Sequence, residues 1–524
     1  MSNMPEDTQH KLEILNVRLA TEPTNHDIFL QRAYLYADTG NIDDALDSFG
    51  HLMQLTAHQL KYLAPFCMVL HKNGFSSQAA ELYDDYCHRF PKLASLFYNH
   101  AFYLRLAGKY TAAIAQYQHA LELNISEPEE VLLNIAVIYS DHLRQEDKAR
   151  QALLLALQVK QDYVPALYNL ANLAEERGDK IETETLFRQV LEADNKYYQA
   201  YARLADVVTF RDVSDPLIAQ MQQAVTERDV VQDTRINLHY ALGKAFDECG
   251  SYADAFSHFT AANKLNSTTM PAYDAMATEH KLDQITQILD HSWLSEHMLG
   301  NDAVPIFICG MFRSGSTLAE QILAQHSKVT AGGEIDFFYQ QLKNIYPEQF
   351  ATVSTSDLTL LANRYLEYCN ERFPSANLLT DKRPDNYQYM GLLKALFPGA
   401  KFIYTKRNKI DNCLSVFFLR LGSAMNYANR LEDTLHYYQQ HEKLMEHWQQ
   451  MFGQDIYTLD YDQLILQPEA TLKPLLAFLG LEYQPGLLHF FDAKNAVKTA
   501  SVWQVRRPLY QNASGRRHNY SDFL

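Results

Sequence analysis

The stretch Val304-Pro-Ile-Phe-Ile-Cys-Gly-Met-Phe-Arg-Ser-Gly-Ser-Thr-Leu318 decides the fold of the C-terminal part of this chain. It predicts a short apolar strand, a glycine-containing turn and the start of a helix, an arrangement that binds anions through the N–H groups of the helix N-terminus. Residues 310–317 read G-x-x-x-x-G-S-T. They therefore match the triphosphate-binding motif G-x-x-x-x-G-K-[ST] except at its lysine, where Ser316 stands.

The missing lysine limits which anion this loop suits. In triphosphate-binding proteins the lysine contacts the β- and γ-phosphates. A loop without it suits a nucleotide whose terminal group carries less charge, and a phosphosulfate is such a group; moving its sulfuryl group needs no metal. The chain also lacks an evident apolar strand that ends in a metal-binding aspartate, so a kinase or nucleoside triphosphatase is disfavoured.

Composition and charge exclude several classes of protein. A chain of 524 residues is too long for one ordinary core, so two or more domains are expected. Residues 1–300 hold 24 Lys and Arg against 41 Asp and Glu, whereas residues 301–524 are neutral. An acidic N-terminal part does not suit nucleic acid, because affinity for a phosphate backbone needs a basic face.

The cysteines and the hydropathy indicate the compartment. Six cysteines are scattered without CxxC spacing, which predicts buried free thiols in a reducing environment. The first residues show no signal-peptide pattern, and no stretch approaches 18 consecutive apolar residues. We therefore expect a cytoplasmic protein without a membrane span.

A repeat of about 34 residues runs through the first half of the chain. Gly40, Gly74 and Gly108 are spaced 34 residues apart, with a small residue five positions after each and an aromatic residue nine positions after each. The small and aromatic residues are Ala45 and Phe49, Ala79 and Tyr83, Ala113 and Tyr117; the frame returns at Gly178 with Thr183 and Phe187 and at Gly250 with Ala255 and Phe259, and a copy without glycine contains Ala149 and Ala156. The period and pattern resemble the tetratricopeptide repeat, a helix–turn–helix unit that stacks into a solenoid.

This pattern sets the predicted domains. Residues 1–270 form the tetratricopeptide-repeat array of roughly seven units, in which the unit near 197–230 is atypical; residues 271–303 form a helical connector, and residues 304–524 form the remaining domain. Such an array is either a scaffold alone or a concave groove that holds a peptide or partner segment.

Residues from 304 onward predict a parallel α/β sheet. Short apolar strands at 306–309, 401–404 and 455–457 alternate with helical stretches. In such a sheet the site lies at the C-terminal ends of the strands. Two basic residues are candidates: Lys382, in Thr380-Asp-Lys-Arg-Pro384 just before a predicted helix at 388–397, and Arg407, which follows the strand at 401–404 and precedes Ser415 by eight residues. If residues 411–418 are helical, Ser415 and Arg407 can meet one phosphate.

Five segments carry a resemblance to the sulfotransferase domains that use 3′-phosphoadenosine 5′-phosphosulfate (PAPS). They are PIFICGMFRSGSTLAEQIL, GGE, TDKRPDNYQYMGLLKALFPGAKFIY, KRNKIDNCLS and KTASVWQVRRPLY, in the family's order over residues 304–524. The resemblance is to bacterial proteins with N-terminal tetratricopeptide repeats and, more distantly, to tyrosylprotein sulfotransferases. It implies a multi-domain chain: an all-α solenoid followed by a P-loop-like α/β sulfotransferase domain with a parallel sheet.

The resemblance also implies roles for individual residues. Glu334 acts as general base, Lys382 steadies the bridging oxygen, Arg313 stabilises developing charge, and Ser501 lies near the donor. The residues that bind the donor are Arg313, Ser314, Gly315, Ser316 and Thr317 around the 5′-phosphosulfate, Arg407 and Ser415 at the 3′-phosphate, Tyr461 near the nucleotide, and Arg506 and Arg507 in a stretch that closes over it. No metal is implied. A histidine base, for example His326, is an alternative to Glu334.

The chain departs from the family pattern at three places, which leaves the identity of the acceptor open. Phe312 replaces a proline, Arg383 and Asp385 replace apolar residues, and Lys406-Arg407-Asn408-Lys409 replaces Arg-Arg-Asp-Pro. The predicted function is transfer of the sulfuryl group from PAPS to a hydroxyl, with a protein tyrosine recruited by the repeats as the first choice and a saccharide or small aryl alcohol as alternatives. A scaffold with a catalytically idle transferase domain is the competing hypothesis. The sequence leaves the oligomeric state open.

Overall fold

A computed structural model describes residues 6–492 and 514–524, and the chain divides into two compact units, Met1–Leu173 and Ala174–Leu524. The first unit is all-α. Its helices are α1 (Glu6–Thr21), α2 (His26–Asp38), α3 (Ile42–Leu55), α4 (Leu63–Lys72), α5 (Ser76–Arg89), α6 (Ala94–Leu106), α7 (Tyr110–Glu122), α8 (Pro128–Val137) and α9 (Glu146–Val159), and α10 (Val164–Arg177) runs across the boundary.

The helices pair as the 34-residue period predicts. Gly40, Gly74 and Gly108 each have a φ between 76° and 90°, the left-handed conformation that ends the first helix of a pair and that glycine adopts without strain. The small residues five positions later are fully buried, and the aromatic residues nine positions later are at most 2% exposed. Phe49 stacks on Phe66 of the next pair, with 4.1 Å between the ring centroids. The aromatic residue therefore fills the gap between neighbouring helix pairs, and this confirms the predicted helical repeats.

The second unit begins with further helices of the same kind and continues into an α/β domain. Its helices after α10 are α11 (Lys180–Ala193), α12 (Tyr198–Val207), α13 (Pro216–Thr226), α14 (Gln232–Glu248), α15 (Tyr252–Asn266), α16 (Ala275–Ile288), α17 (His291–His297), α18 (Ser316–Leu323), α19 (Phe337–Leu342), α20 (Thr355–Arg372), α21 (Met390–Leu396), α22 (Lys409–Phe417), α23 (Leu431–Phe452), α24 (Tyr461–Leu466) and α25 (Pro468–Phe478). Its strands are β1 (Ile306–Gly310), β2 (Val329–Ala331), β3 (Leu378–Lys382), β4 (Lys401–Lys406) and β5 (Ile456–Asp460).

The five strands form one parallel sheet in the order β2-β3-β1-β4-β5. The strand predicted from the opening stretch, β1, lies at the centre between β3 and β4. All five C-terminal ends therefore share one edge, where Gly310, Lys382 and Lys406 end their strands. The strands β2 and β3 lie on one side of β1, and β4 and β5 lie on the other, so the strand order switches at β1. In open parallel sheets, ligands bind at such a switch point.

Both faces of the sheet are buried, as parallel sheets require. Phe307 and Phe402 point to one face, where their buried neighbours include residues of α16, α17, α20, α21 and α23. Ile308 and Ile403 point to the other face, against α18, α24 and α25. The predicted connector thus contributes two helices whose apolar residues pack into the core of the sheet. The bounds assigned to the three domains from sequence stay a prediction.

The helix pair α14–α15 packs directly against the sheet domain. Phe259 stacks on Phe418, with 4.1 Å between the ring centroids. Asn263, which is buried, donates from Nδ2 to the carbonyl oxygen of Phe417 at 2.8 Å. Nδ2 of the buried Asn266 donates to the carbonyl oxygen of Leu421 at 3.1 Å. Asn263 therefore caps the last carbonyl of α22, and Asn266 holds the segment that follows the helix.

Two further expectations concern the whole chain. All six cysteines are unpaired, and all are buried except Cys249, which is half-buried. In the part of the chain that the structure describes, no helix is both long and apolar enough to cross a membrane.

Candidate active site

The loop after β1 closes tightly against the neighbouring strand. Gly310 has a φ of 152°, and a Cβ atom there would lie 2.4 Å from the backbone oxygen of Thr405, so only glycine fits. Ser314 Oγ lies 2.7 Å from Thr405 Oγ1, and the Ser314 amide donates to the Met311 carbonyl at 3.0 Å. The loop is therefore shaped by backbone and hydroxyl contacts, and it brings its own amide groups to the edge of the sheet.

The loop ends at the N-terminus of α18. Gly315, with a φ of 101°, caps the helix; a Cβ atom there would lie 2.3 Å from the Tyr461 ring. Ser316 and Thr317 start α18, and the first N–H groups of a helix have no intrahelical acceptor. Ser316, at the position of the lysine in triphosphate-binding loops, is buried, and Thr317 is half-buried. A helix start of this kind can bind an anion, and here an aromatic ring packs on its backbone.

Two arginines converge beside this loop. Arg313 has a φ of 69°, a conformation that non-glycine residues rarely adopt, and its Nε donates to Ser415 Oγ at 3.3 Å. The buried Arg407 donates from Nη1 to the carbonyl oxygen of Arg313 at 3.4 Å. The Arg407 guanidinium also lies 4.9 Å from the centroid of the Tyr461 ring. The structure thus brings together four of the predicted donor-binding residues.

The helix α22 explains how Ser415 reaches this cluster. Asn408 caps α22, with Oδ1 accepting from the amides of Ile410 and Asp411. The helix then runs from Lys409 to Phe417, close to the helix predicted from the sequence. Its N-cap directly follows Arg407, and the helix places the buried Ser415 nearly two turns along, next to Arg313.

A second cluster lies at the end of β3. Lys382 is 1% exposed, and its Nζ donates to Glu334 Oε1 at 2.6 Å, whereas the Glu334 side chain is 40% exposed. The next residue, Arg383, forms an ion pair with Asp336 and donates from Nε to Asp385 Oδ1 at 2.9 Å. Two consecutive ion pairs therefore join the segment after β2 to the end of β3. They bring the predicted base and the predicted lysine into direct contact.

Two buried carboxyl groups stand behind this pair, and sequence reasoning missed both. Glu320 of α18 accepts at Oε1 from Thr380 Oγ1 at 2.8 Å and from the Gly333 amide at 3.0 Å. Asp381 accepts from the Tyr365 hydroxyl at 3.0 Å and from the Asn386 amide. Burial raises the pKa of Glu320 above its ordinary value and raises the pKa of Asp381 to about 7. The available signal was a glutamate inside the apolar run 318–323 and an aspartate inside a strand.

Several predicted residues do not join these clusters. Ser501, Arg506 and Arg507 lie outside the described residues. His326, the alternative base, is buried and held by the backbone, with Nε2 3.1 Å from the Glu482 carbonyl oxygen and Nδ1 accepting from the Lys328 amide at 3.2 Å. Over residues 6–492 and 514–524, no three His, Cys, Asp or Glu side chains form a group that could hold a metal ion.

Parts of the chain are similar to known proteins. Residues 305–485 match the sulfotransferase family. An uncharacterised protein of Aquifex aeolicus is 27% identical over 74% of this chain and 53% of its own length. Protein-tyrosine sulfotransferase 1 of Danio rerio is 25% identical over 45% of this chain and 73% of its own length. A tetratricopeptide repeat protein from Parabacteroides merdae is similar in structure, with a TM-score of 0.30 and 20% identity over 46% of this chain and 93% of that one.

The match to the sulfotransferase family lies in the α/β part of the chain, after the helical repeats. The alignment with the Aquifex protein covers about half of that relative's length.

Proposed function

Residues 305–485 match the sulfotransferase family, and from this premise we propose a function. We propose that the chain transfers a sulfuryl group from PAPS to a hydroxyl acceptor. One observation carries the proposal: a lysine-free anion loop lies beside a converging arginine–serine pair, Arg313 to Ser415 with Arg407 behind them. Such a cluster suits a nucleotide with a second, separate phosphate. Planar guanidinium groups donate paired hydrogen bonds to phosphate oxygens.

Each predicted donor ligand has a place in this proposal. The loop residues Arg313, Ser314, Gly315, Ser316 and Thr317 would hold the 5′-phosphosulfate, where the α18 N-terminus favours negative charge. Arg407 and Ser415 would hold the 3′-phosphate, and Tyr461 would pack near the nucleotide. Arg506 and Arg507 are proposed to close over it, and Ser501 to lie near the reacting sulfate.

The reacting groups divide the work of an in-line transfer. The bond between sulfur and the bridging oxygen breaks as a bond forms between sulfur and the acceptor oxygen. Glu334 takes the acceptor's proton, while Lys382 and Arg313 stabilise the charge on the leaving and equatorial oxygens. The products are the sulfate ester and adenosine 3′,5′-bisphosphate. By analogy with phosphoryl transfer, a loose transition state needs positioning and charge more than covalent help.

The 2.6 Å contact between Lys382 and Glu334 supports this division, because the base and the leaving-group cation stand side by side. It also gives the buried lysine a counter-ion, which a buried ammonium group requires. The second ion pair, Arg383 with Asp336, holds the same two segments together. The two ion pairs therefore fix Glu334 and Lys382 relative to one another.

We propose a protein tyrosine as the acceptor. Similarity to a protein-tyrosine sulfotransferase over 45% of this chain supports this choice. The helical repeats would recruit the acceptor protein, since stacked helix pairs form extended concave surfaces. We also propose that the protein acts in the cytoplasm, which six unpaired thiols support.

Sulfate transfer tests the proposal directly. Radiolabelled PAPS is incubated with the chain and with tyrosine-containing peptides or a protein extract. Arg313→Ala and Lys382→Ala should each abolish labelling, whereas Lys343→Ala, which removes an exposed lysine bonded to Gln340, should leave it unchanged. Full labelling by either active-site variant would refute the assigned roles.

Nucleotide binding separates the enzyme from the scaffold hypothesis. Titration calorimetry with adenosine 3′,5′-bisphosphate should give saturable binding that Arg407→Ala weakens. Absence of binding at millimolar nucleotide would favour a repeat scaffold with an idle transferase domain.

A further inference from the structure

The last described segment, Ser514–Leu524, which we call the C-terminal arm, is anchored on α22. Asp411, in the first turn of α22, is fully buried. Its Oδ2 accepts from the Gly515 amide and from Arg517 Nη1, both at 2.8 Å, and its Oδ1 accepts from the Arg517 amide at 2.6 Å. Three hydrogen bonds from more than 100 residues away therefore fix the start of this helix.

A second anchor joins the arm to α24. Asp462 accepts at Oδ1 from Ser514 Oγ at 2.6 Å and at Oδ2 from the Asn408 amide at 2.9 Å. Asn408 caps α22, and Asp462 follows Tyr461 in the chain. The Asp462 carboxylate thus connects the arm, the start of α22 and α24, the helix that begins with Tyr461.

The far end of the arm is held by the last helical repeat. Tyr520 is fully buried, and its hydroxyl donates to Asp247 Oδ1 of α14 at 2.6 Å. Arg516 forms an ion pair with the same carboxylate. The Tyr520 ring also lies 4.9 Å from the Phe418 ring, just after α22. The arm therefore connects the repeat helices to both ends of α22.

These anchors converge on the predicted 3′-phosphate ligands. Arg407 immediately precedes the N-cap of α22, and Ser415 lies on the helix. Phosphate recognition by a guanidinium and a hydroxyl depends on donors fixed to within about 0.5 Å, which a helix start held only by its own cap does not guarantee. The arm supplies the missing constraint through Asp411 and Asp462, neither of which is among the residues predicted to bind the nucleotide.

We propose that the C-terminal arm is a positioning element for the nucleotide site, and that Asp411 is its central positioning residue. The proposal rests on the proposed function, because it assumes that Arg407 and Ser415 bind the 3′-phosphate. It goes further in assigning a role to a segment beyond the 305–485 match. It also makes the last repeat pair part of the support of the nucleotide site.

Calorimetry with adenosine 3′,5′-bisphosphate on the full chain tests the arm. Asp411→Ala and a chain ending at residue 513 should each bind the nucleotide roughly tenfold more weakly, the effect of one lost or misplaced charge-assisted hydrogen bond. Tyr520→Phe, which removes only the bond to Asp247, should weaken binding by a smaller factor. Asp522→Ala is the matched control, since it removes an exposed carboxylate of the same arm and should leave the affinity unchanged.

A second measurement separates positioning from general stability. Trp293→Phe removes a buried hydrogen bond, from Trp293 Nε1 to the Phe350 carbonyl oxygen, that involves neither α22 nor the arm, and it should lower the melting temperature. The arm has a positioning role if Asp411→Ala binds more weakly than Trp293→Phe at equal loss of melting temperature. Nucleotide binding by Asp411→Ala at the wild-type affinity overturns the arm's role alone, whereas a wild-type chain that does not bind overturns the proposed function with it. Arg517→Ala, which loses one bond and keeps two backbone donors, replaces Asp411→Ala if that variant does not fold.

Discussion

Replacing Glu320 by alanine should destabilise the second unit, whereas replacing it by glutamine should not. A single atom, Oε1, accepts hydrogen bonds from the Thr380 hydroxyl and from the Gly333 amide. It thereby joins α18 to β3 and to the segment that carries Glu334. Alanine removes the acceptor for both donors, and glutamine keeps an oxygen at the same position.

The magnitude follows from the burial of the two donors. A buried donor left without an acceptor costs about 1–3 kcal/mol. The Thr380 hydroxyl is fully buried but has a second, longer acceptor in the Thr330 carbonyl at 3.4 Å. Gly333 is half-buried, so water can replace part of its lost bond. We therefore expect Glu320→Ala to cost about 2–4 kcal/mol and Glu320→Gln less than about 1 kcal/mol.

The pH dependence gives a second, independent expectation. Burial raises the pKa of Glu320 in the folded chain above its ordinary value of 4.5. The folded state therefore binds the proton more tightly than the unfolded state, and the glutamate's favourable contribution is present at acid pH and lost as pH rises through the raised pKa. Glutamine does not titrate, so Glu320→Gln should gain stability relative to wild type as the pH increases.

Urea denaturation followed by tryptophan fluorescence measures both effects. The three tryptophans are Trp293, Trp448 and Trp503, so the signal reports the unit that contains Glu320. The reasoning is refuted if the alanine and glutamine variants unfold at the same urea concentration. If the difference in unfolding free energy between wild type and Glu320→Gln does not change with pH, the raised pKa of Glu320 is refuted.

Three other substitutions test separate contacts. Burial raises the pKa of Asp381 to about 7, so wild type should lose stability as the pH rises from about 4 to about 7. Asp381→Asn should lose less stability over this range, and melting temperatures measured across it test this expectation. Gly315→Ala should abolish nucleotide binding in calorimetry, since its Cβ atom would lie 2.3 Å from the Tyr461 ring at a strained φ, and binding equal to wild type would contradict the loop geometry. Asn263→Asp should destabilise the second unit by about 2 kcal/mol or more, because a carboxylate cannot donate to the Phe417 carbonyl; an unchanged unfolding midpoint would refute that contact.

The sequence predicts features whose cause is local. The glycines at 40, 74 and 108 mark helix ends because only a left-handed conformation closes those turns, and their spacing defines the repeat. The turn from Gly310 to Thr317 is likewise decided by its own residues. Arg407 and Ser415 could be paired in advance because a helix start lies between them and helical geometry is regular.

The remaining features depend on contacts between distant segments. The strand β2 has only three residues and β3 ends in Thr-Asp-Lys, so neither shows the apolar run of a buried parallel strand. Glu320 appears in sequence as a charge on an amphipathic helix, and its role requires Thr380, sixty residues later. Asp411 appears as an ordinary acidic residue at a helix N-terminus until the arm, over 100 residues later, is in place. No periodic pattern encodes such pairings.

The hydrogen bonds from Asn263 to Phe417 and from Asn266 to Leu421 limit how the repeats can be exchanged. Cutting the chain at the predicted border near residue 270 would expose two carbonyl oxygens and the Phe418 ring to solvent. A shortened chain designed for expression should therefore retain α14 and α15. A foreign helical module should be grafted only upstream of that pair.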